Sequence, residues 1–160
     1  MNIVHRDVKP DNLIRRKDDV LKFIDFGISK ELSQEQTKHT KNVVTRCYRS
    51  PEIFFGADQY DSKAVDMWSV ACIFAELLTA NLTAPPNQTP VFFAGGSDIE
   101  QLGKIFEVCG TPTPEDWPEC EELPCYLPFN PVESIPLEKV MEARRVKPSE
   151  ELPPSALALL

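Results

Sequence analysis

The sequence predicts a mainly α-helical protein with one short β-hairpin. Residues 13–14 and 20–24 are apolar runs on either side of a charged turn, a pattern typical of two paired strands. Residues 61–79 start at Asp61 or Ser62 as a capping residue and are apolar on nearly all sides, which predicts a buried central helix. With 160 residues, 42% of them hydrophobic, the chain can bury one core.

The second half predicts two shorter helices around an irregular segment. Ser97 and Glu100 have the spacing of a capping box, and apolar residues then recur at helical spacing, so a helix is expected within 96–109. Residues 110–136 are rich in proline, which argues against regular structure. Another helix is expected from Leu137 to about Arg144. The apolar run 156–160 opens a helix that stops after its first turn, so we expect a truncated end.

Composition excludes several classes of function. The net charge is −8 and no basic stripe alternates with aromatic residues, so nucleic-acid binding is not expected. No apolar run approaches the roughly 20 residues that cross a bilayer. Five cysteines occur without a Cys-x-x-Cys pair and with only two histidines, which indicates neither a zinc site nor a disulfide framework. We therefore expect an intracellular protein, in the cytoplasm or nucleus, that does not bind a membrane.

Three short motifs occur in a fixed order. Residues 5–12 read His-Arg-Asp-Val-Lys-Pro-Asp-Asn, followed by Asp-Phe-Gly at 25–27 and Ser-Pro-Glu at 50–52. Phosphoryl transfer from ATP needs one group that orients the attacking hydroxyl and oxygen ligands that hold Mg²⁺. Asp7, Asn12 and Asp25 supply such groups in that order. Each residue alone is usually a turn or cap residue, but the ordered set is specific and predicts this chemistry.

With these motifs in view, the chain resembles the C-terminal lobe of the cyclin-dependent-kinase-like branch of protein serine/threonine kinases. The resemblance implies a partial kinase domain over 1–160, with a catalytic loop at 5–12 and an activation segment at 25–52. Few residues precede His5, so an upper lobe is expected to be absent. The branch-specific stretches are 43–52, 66–73, 96–102 and 110–112, while 56–61, 122–124 and 135–138 are most similar to cell cycle-related kinase and the cyclin-dependent-kinase-activating kinase.

The resemblance assigns roles to the motif residues. It implies that Asp7 is the catalytic aspartate, that Lys9 contacts the transferring phosphate, and that Asn12 and Asp25 ligate Mg²⁺. Leu13 is implied to contact ATP together with Lys9, Asn12 and Asp25. A lysine two positions after the aspartate is similar to serine/threonine rather than tyrosine kinases. The implied cofactors are ATP and Mg²⁺.

Other residues are implied to shape the fold around the site. His5 and Phe26 are similar to members of the hydrophobic stack that aligns the lobes. Asp66 is similar to the buried helix acid that holds the catalytic loop. Glu52 would pair with an arginine near the end of the lobe, and the sequence stops before such an arginine.

Residues of the activation segment are implied to control activity and specificity. Thr40 aligns with the activating phosphorylation site, and Arg6 with Lys30 would bind its phosphate, more weakly than two arginines because lysine cannot bind in bidentate geometry. Val44, Thr45 and Arg49 align with the substrate pocket, which implies a proline directly after the target serine or threonine. Cys47 and Ser50 stand where the family usually has tryptophan and alanine.

The sequence is compatible with three functions. The first is an ATP-dependent serine/threonine kinase with protein substrates, activated by a cyclin or another protein that contacts the upper lobe. The second is a non-catalytic interaction module or truncated pseudokinase-like product, which binds through the helix from Ser97 and the acidic residues 115–122. The third is a small-molecule phosphotransferase, disfavoured by the protein-substrate pocket. Because the upper lobe is missing, the isolated 160-residue chain is expected to have no measurable kinase activity and to bind Mg-ATP weakly at best.

Overall fold

The computed structural model describes residues 3–32, 44–79 and 91–144. Its described part is mostly helical with two small antiparallel sheets, which confirms the predicted fold class in outline. Thr40 and the run 156–160 lie outside the described residues. The strands are β1 (Ile3–Val4), β2 (Leu13–Arg15), β3 (Leu21–Phe23) and β4 (Lys30–Glu31), and the helices are α1 (Pro51–Phe54), α2 (Ser62–Thr79), α3 (Asp98–Cys109) and α4 (Leu137–Arg144).

The predicted hairpin is present, and β1 and β4 form the second sheet. In the hairpin, Leu13 lies opposite Phe23, and the charged turn closes through Arg16, whose backbone N–H donates to the carbonyl of Val20 at 2.9 Å. Just before β2, the carbonyl of Asn12 accepts the backbone N–H of Ile24 at 3.0 Å. The hairpin therefore brings Asn12 beside the residue that precedes Asp25.

Helix α2 is capped as the sequence suggests and packs on the segment before α1. The Asp61 side chain accepts the backbone N–H of Lys63 at 2.8 Å, which makes Asp61 the N-cap residue. On the buried side, Ser69 Oγ donates to the carbonyl of Tyr48 at 2.8 Å. Tyr48 belongs to the 3₁₀ turn Arg46–Tyr48, so α2 fixes the position of this turn.

The expected burial of α2 as a central helix is found on one side only in the described structure. Met67 is 62% exposed and Leu77 64% exposed. The surrounding described elements cover only the side of α2 that carries Val65, Cys72 and Ala75, which are all nearly fully buried. Apolar residues all around a helix do not determine how many of its sides pack against other elements.

A buried acid joins α2 to two distant segments. Glu76 accepts a hydrogen bond from the Tyr48 hydroxyl at 3.2 Å and another from the backbone N–H of Phe92 at 3.0 Å. Burial raises the pKa of Glu76, although both hydrogen bonds oppose the shift. The guanidinium of Arg144, at the end of α4, lies 4.4 Å from the centre of the Phe92 ring. Glu76 and Phe92 thereby connect α2, α4 and the turn that precedes α1.

The start of α3 is a modified capping box. Ser97 Oγ accepts the backbone N–H of Glu100 at 3.1 Å, as the pattern predicts. The Glu100 carboxylate, however, accepts the N–H of Gly96 at 2.8 Å rather than that of Ser97. The side chain of Gln101 is fully buried and binds backbone groups of Phe93 and Gly95. This network fixes where α3 begins.

The proline-rich segment is irregular, with only a short 3₁₀ turn (Cys120–Glu122). It is nevertheless packed on the core, because the fully buried Phe55 ring contacts Trp117 at 5.8 Å and Tyr126 at 5.3 Å between centroids. The backbone N–H of Cys125 donates to the carbonyl of Phe55 at 2.9 Å. Within the three described ranges, no helix combines the length and apolar character that crossing a bilayer requires.

Candidate active site

Asp66 of α2 holds the backbone of the loop 5–12. One of its carboxylate oxygens accepts the N–H of His5 at 2.7 Å, and the other accepts the N–H of Arg6 at 2.8 Å. Arg6 has φ of 65°, a left-handed conformation that is unfavourable for a residue other than glycine. Two charge-assisted hydrogen bonds offset this strain. The conformation of the loop therefore depends on the helix that carries Asp66.

The His5 ring connects this loop to the residues around Asp25. Its Nδ1 lies 3.3 Å from the backbone N–H of Asp7, and its Nε2 lies 3.0 Å from the carbonyl of Ile24. An amide must donate and a carbonyl must accept, so these neighbours select the Nε2–H tautomer. The ring also makes an edge contact with Phe26, at 5.1 Å between centroids.

Four of the predicted site residues form one hydrogen-bonded cluster around Asp7. Oδ1 of Asp7 accepts from the hydroxyl of Thr45 at 2.9 Å and from its backbone N–H at 3.2 Å. Oδ2 lies 2.8 Å from Lys9 Nζ and 3.1 Å from Asn12 Nδ2. Lys9 Nζ also donates to the Thr45 hydroxyl at 3.0 Å. Thr45 thus bridges the loop 5–12 and the segment before α1.

The cluster keeps Asp7 negatively charged. Partial burial acts to raise the pKa of Asp7, but the hydrogen bonds from Lys9 and Thr45 and the charge of Lys9 outweigh it, so the pKa lies below its ordinary value of 3.8. The Asp7 side chain is 16% exposed and that of Lys9 22%. At neutral pH the carboxylate is therefore charged, and part of it is exposed to solvent.

Asn12, Asp25 and Leu13 lie at the base of the hairpin. The buried Asn12 directs its Nδ2 at the carbonyl and carboxylate of Asp7, which turns its amide oxygen away from Asp7. Asp25 has φ of 61° and is exposed, and its Oδ1 accepts the N–H of Gly27 at 3.2 Å. Leu13, partly buried, packs against the core.

The chemistry of this donor set fits Mg²⁺. Asn12 and Asp25 offer an amide and a carboxylate oxygen, the ligand type that this ion prefers. Among the described residues, no group of three or more His, Cys, Asp or Glu side chains could hold a metal ion. Protein sites for Mg²⁺ commonly use one or two carboxylates and leave the remaining positions to water and nucleotide phosphates. Asn12 and Asp25 carry oxygen donors of the type that such a site uses.

Beside the cluster, the side chain of Arg49 binds the backbone carbonyl of Val44. Val44 has φ of 73°, an outlier for a β-branched residue. Its carbonyl accepts from Arg49 Nη2 at 3.0 Å and from Nε at 3.3 Å. The Arg49 guanidinium also lies 5.0 Å from the centre of the Phe54 ring. A strained residue thus presents its carbonyl to an enclosed arginine of its own chain.

Arg6, Lys30 and Glu52 lie outside the cluster around Asp7. Arg6 Nε donates to the carbonyl of Ile28 at 2.6 Å, and Lys30 in β4 pairs through its backbone with Val4. Within the described ranges, the Glu52 side chain makes no ion pair. The expected phosphate site, Thr40, lies outside the described residues.

Comparison with known proteins identifies the family. The family model described as the protein kinase domain matches residues 1–152, and the chain belongs to the protein kinase family. Within the family, its curated relatives include cyclin-dependent kinases. Cyclin-dependent kinase 7 of Xenopus laevis is 46% identical over 141 residues, which cover 88% of this chain and 37% of that protein. Cyclin-dependent kinase 20 of Homo sapiens is 43% identical over 162 residues, 99% of this chain and 42% of that protein.

A plant protein gives the same result. Cyclin-dependent kinase D-1 of Oryza sativa subsp. indica is 44% identical over 135 residues, covering 84% of this chain. The chain spans between 30% and 42% of the length of these three relatives. The match is therefore to a part of each relative rather than to its whole length.

Proposed function

We propose that this chain is the C-terminal lobe of an ATP-dependent serine/threonine protein kinase of the cyclin-dependent type. The cluster of Asp7, Lys9, Asn12 and Thr45 carries the proposal. In this cluster a cation, an amide and a hydroxyl all lie within hydrogen-bonding distance of one charged carboxylate, that of Asp7. The lengths and names of the relatives support the assignment to one lobe of a larger kinase.

Each residue of the cluster has a role in the proposed reaction. Asp7 accepts a hydrogen bond from the substrate hydroxyl and orients it for attack. Lys9 exchanges part of its contact with Asp7 for an oxygen of the transferring phosphoryl group. Asn12 and Asp25 hold Mg²⁺, which supplies charge neutralisation at the nucleotide phosphates. Leu13 contributes an apolar surface for ATP.

The backbone at Val44 supports a preference for proline after the target residue. Because Arg49 occupies the carbonyl of Val44, that carbonyl is not available to a substrate N–H. A proline has no N–H and loses nothing, whereas any other residue leaves a donor unsatisfied at a cost of about 1–3 kcal/mol. The proposed substrates are therefore serines and threonines followed by proline.

Activation would depend on parts outside the described residues. We place a regulatory phosphate on Thr40, with Arg6 and Lys30 as its cations, and a cyclin or another activator on the upper lobe. An upper lobe would also supply the groups that bind adenine and the α- and β-phosphates. We call the proposed protein that joins this chain to an upper lobe the complete kinase.

The substrate preference is tested with two peptides that differ only in proline or alanine after the target serine. The wild-type complete kinase should favour the proline peptide by roughly 5- to 150-fold in kcat/KM, the ratio that one unsatisfied N–H implies. In Arg49→Ala the carbonyl of Val44 is released, so the ratio should fall towards one. Arg15→Ala, in the exposed hairpin turn, is the control and should keep the ratio. A wild-type enzyme that treats both peptides alike would refute the preference.

A further inference from the structure

Asp98, the first residue of α3, connects to two arginines of the segment 44–49. Its Oδ1 accepts a hydrogen bond from Arg46 Nε at 2.9 Å, and its Oδ2 lies 3.8 Å from Arg49 Nη1. Arg46 also donates from Nη1 to the carbonyl of Gly96 at 3.0 Å. One carboxylate at the start of α3 thus faces both arginines that follow Val44.

Arg49 is the more enclosed of these arginines. Its side chain is 13% exposed, against 45% for Arg46. Two of its nitrogens face the carbonyl of Val44, the Phe54 ring covers one face, and Nη1 is directed at Asp98. Burial lowers the pKa of Arg49, and the charge of Asp98 acts against that shift. The Asp98 carboxylate therefore stabilises the Arg49 guanidinium in its enclosed position relative to a conformation in which the side chain points into solvent.

We propose that Asp98 is a positioning residue for substrate specificity. It holds the Arg49 guanidinium on the carbonyl of Val44 and so maintains discrimination against a substrate residue that has a backbone N–H after the target. This inference rests on the proposed function. Loss of the carboxylate releases Arg49 for part of the time, and the freed carbonyl then accepts the N–H of a residue other than proline.

An acid in the first turn of a helix also interacts favourably with the helix dipole, and this effect has to be separated from the contact with Arg49. Glu100 offers a matched control, because it is an acid of the same turn and contacts the N–H of Gly96 rather than either arginine. Glu100→Gln keeps an oxygen that can accept the N–H of Gly96 and removes only the charge. Asp98→Glu keeps the charge and serves as the conservative rescue.

The experiment measures kcat/KM of the complete kinase on the proline and alanine peptides for Asp98→Asn, Asp98→Glu and Glu100→Gln. In Asp98→Asn the ratio should fall about two- to fivefold, the size of the contribution of a partly exposed ion pair. The fall should come from faster turnover of the alanine peptide, because the carbonyl of Val44 becomes available. Asp98→Glu and Glu100→Gln should keep the wild-type ratio. An unchanged ratio in Asp98→Asn, or an equal loss on both peptides, would overturn the proposal.

A second readout separates this inference from the proposed function. If the wild type shows no proline preference or no phosphate transfer, the proposed function fails, and amide hydrogen exchange in residues 44–49 then decides whether Asp98 positions this segment. Faster exchange there in Asp98→Asn than in Glu100→Gln would retain the positioning role. Equal exchange in the two variants would exclude it.

Discussion

Replacing Asp7 by asparagine is expected to lower kcat for phosphate transfer by the complete kinase by about 10²- to 10⁴-fold. The carboxylate accepts hydrogen bonds at both oxygens, from Thr45 on one side and from Lys9 and Asn12 on the other. Asparagine has a single acceptor oxygen, and its NH₂ group would face donors. It also lacks the charge that aligns a substrate hydroxyl. Steady-state transfer from ATP to the proline peptide measures the loss.

Asp19→Asn is the matched control for this substitution. Asp19 lies in the exposed hairpin turn with φ of 61°, a conformation that asparagine tolerates well. Its partner is Arg15, at 2.6 Å, and an exposed pair of this kind contributes little to stability. The variant should retain wild-type activity. Asp7→Asn with a kcat near that of Asp19→Asn would contradict the role of Asp7.

In the complete kinase, replacing Asp66 by asparagine should destabilise the loop 5–12 and abolish most of the phosphate transfer. The two oxygens of Asp66 accept the N–H groups of His5 and Arg6, and an asparagine would put its own NH₂ group against one of them. An unsatisfied, part-buried donor costs about 1–3 kcal/mol. The strained backbone at Arg6 would then relax and displace Asp7. The thermal midpoint should fall, and amide exchange at residues 5–7 should accelerate.

Asp61→Asn is the control on the same helix. Asp61 is the N-cap residue of α2, and asparagine caps helices as well as aspartate does. This variant should keep both its thermal midpoint and its exchange rates. If Asp66→Asn exchanged as slowly at residues 5–7 as Asp61→Asn, the loop would not depend on Asp66.

Local sequence patterns were sufficient for the main elements of the fold. The hairpin depends on a charged turn between two apolar runs, and α3 depends on a cap at Ser97 and apolar residues at helical spacing, so neighbours in the chain determine both. The exposure of Met67 and Leu77 depends on which elements pack against α2. That information lies in contacts between distant residues, and a single sequence does not contain it.

In the site, too, local motifs could be predicted from the sequence, whereas contacts between distant residues could not. The ordered motifs predict Asp7, Asn12 and Asp25 as a set, because their chemistry and order are specific. Asp98 was missed, since an acid in the first turn of a helix is explained locally by the helix dipole. Glu76 was missed as well, because a single acid within an apolar helix gives no sign of its partners. Their contacts with Arg49 and with Tyr48 and Phe92 become visible only in the fold.

We propose above all that this chain carries the catalytic groups of a kinase and depends on an upper lobe for nucleotide binding. The most direct measurement compares transfer of the γ-phosphate of ATP to the proline peptide by the complete kinase and by the 160-residue chain, each with and without Mg²⁺. We expect Mg²⁺-dependent transfer by the complete kinase and none above background by the chain alone. Transfer by the isolated chain at a comparable rate, or no transfer by the activated complete kinase, would contradict it.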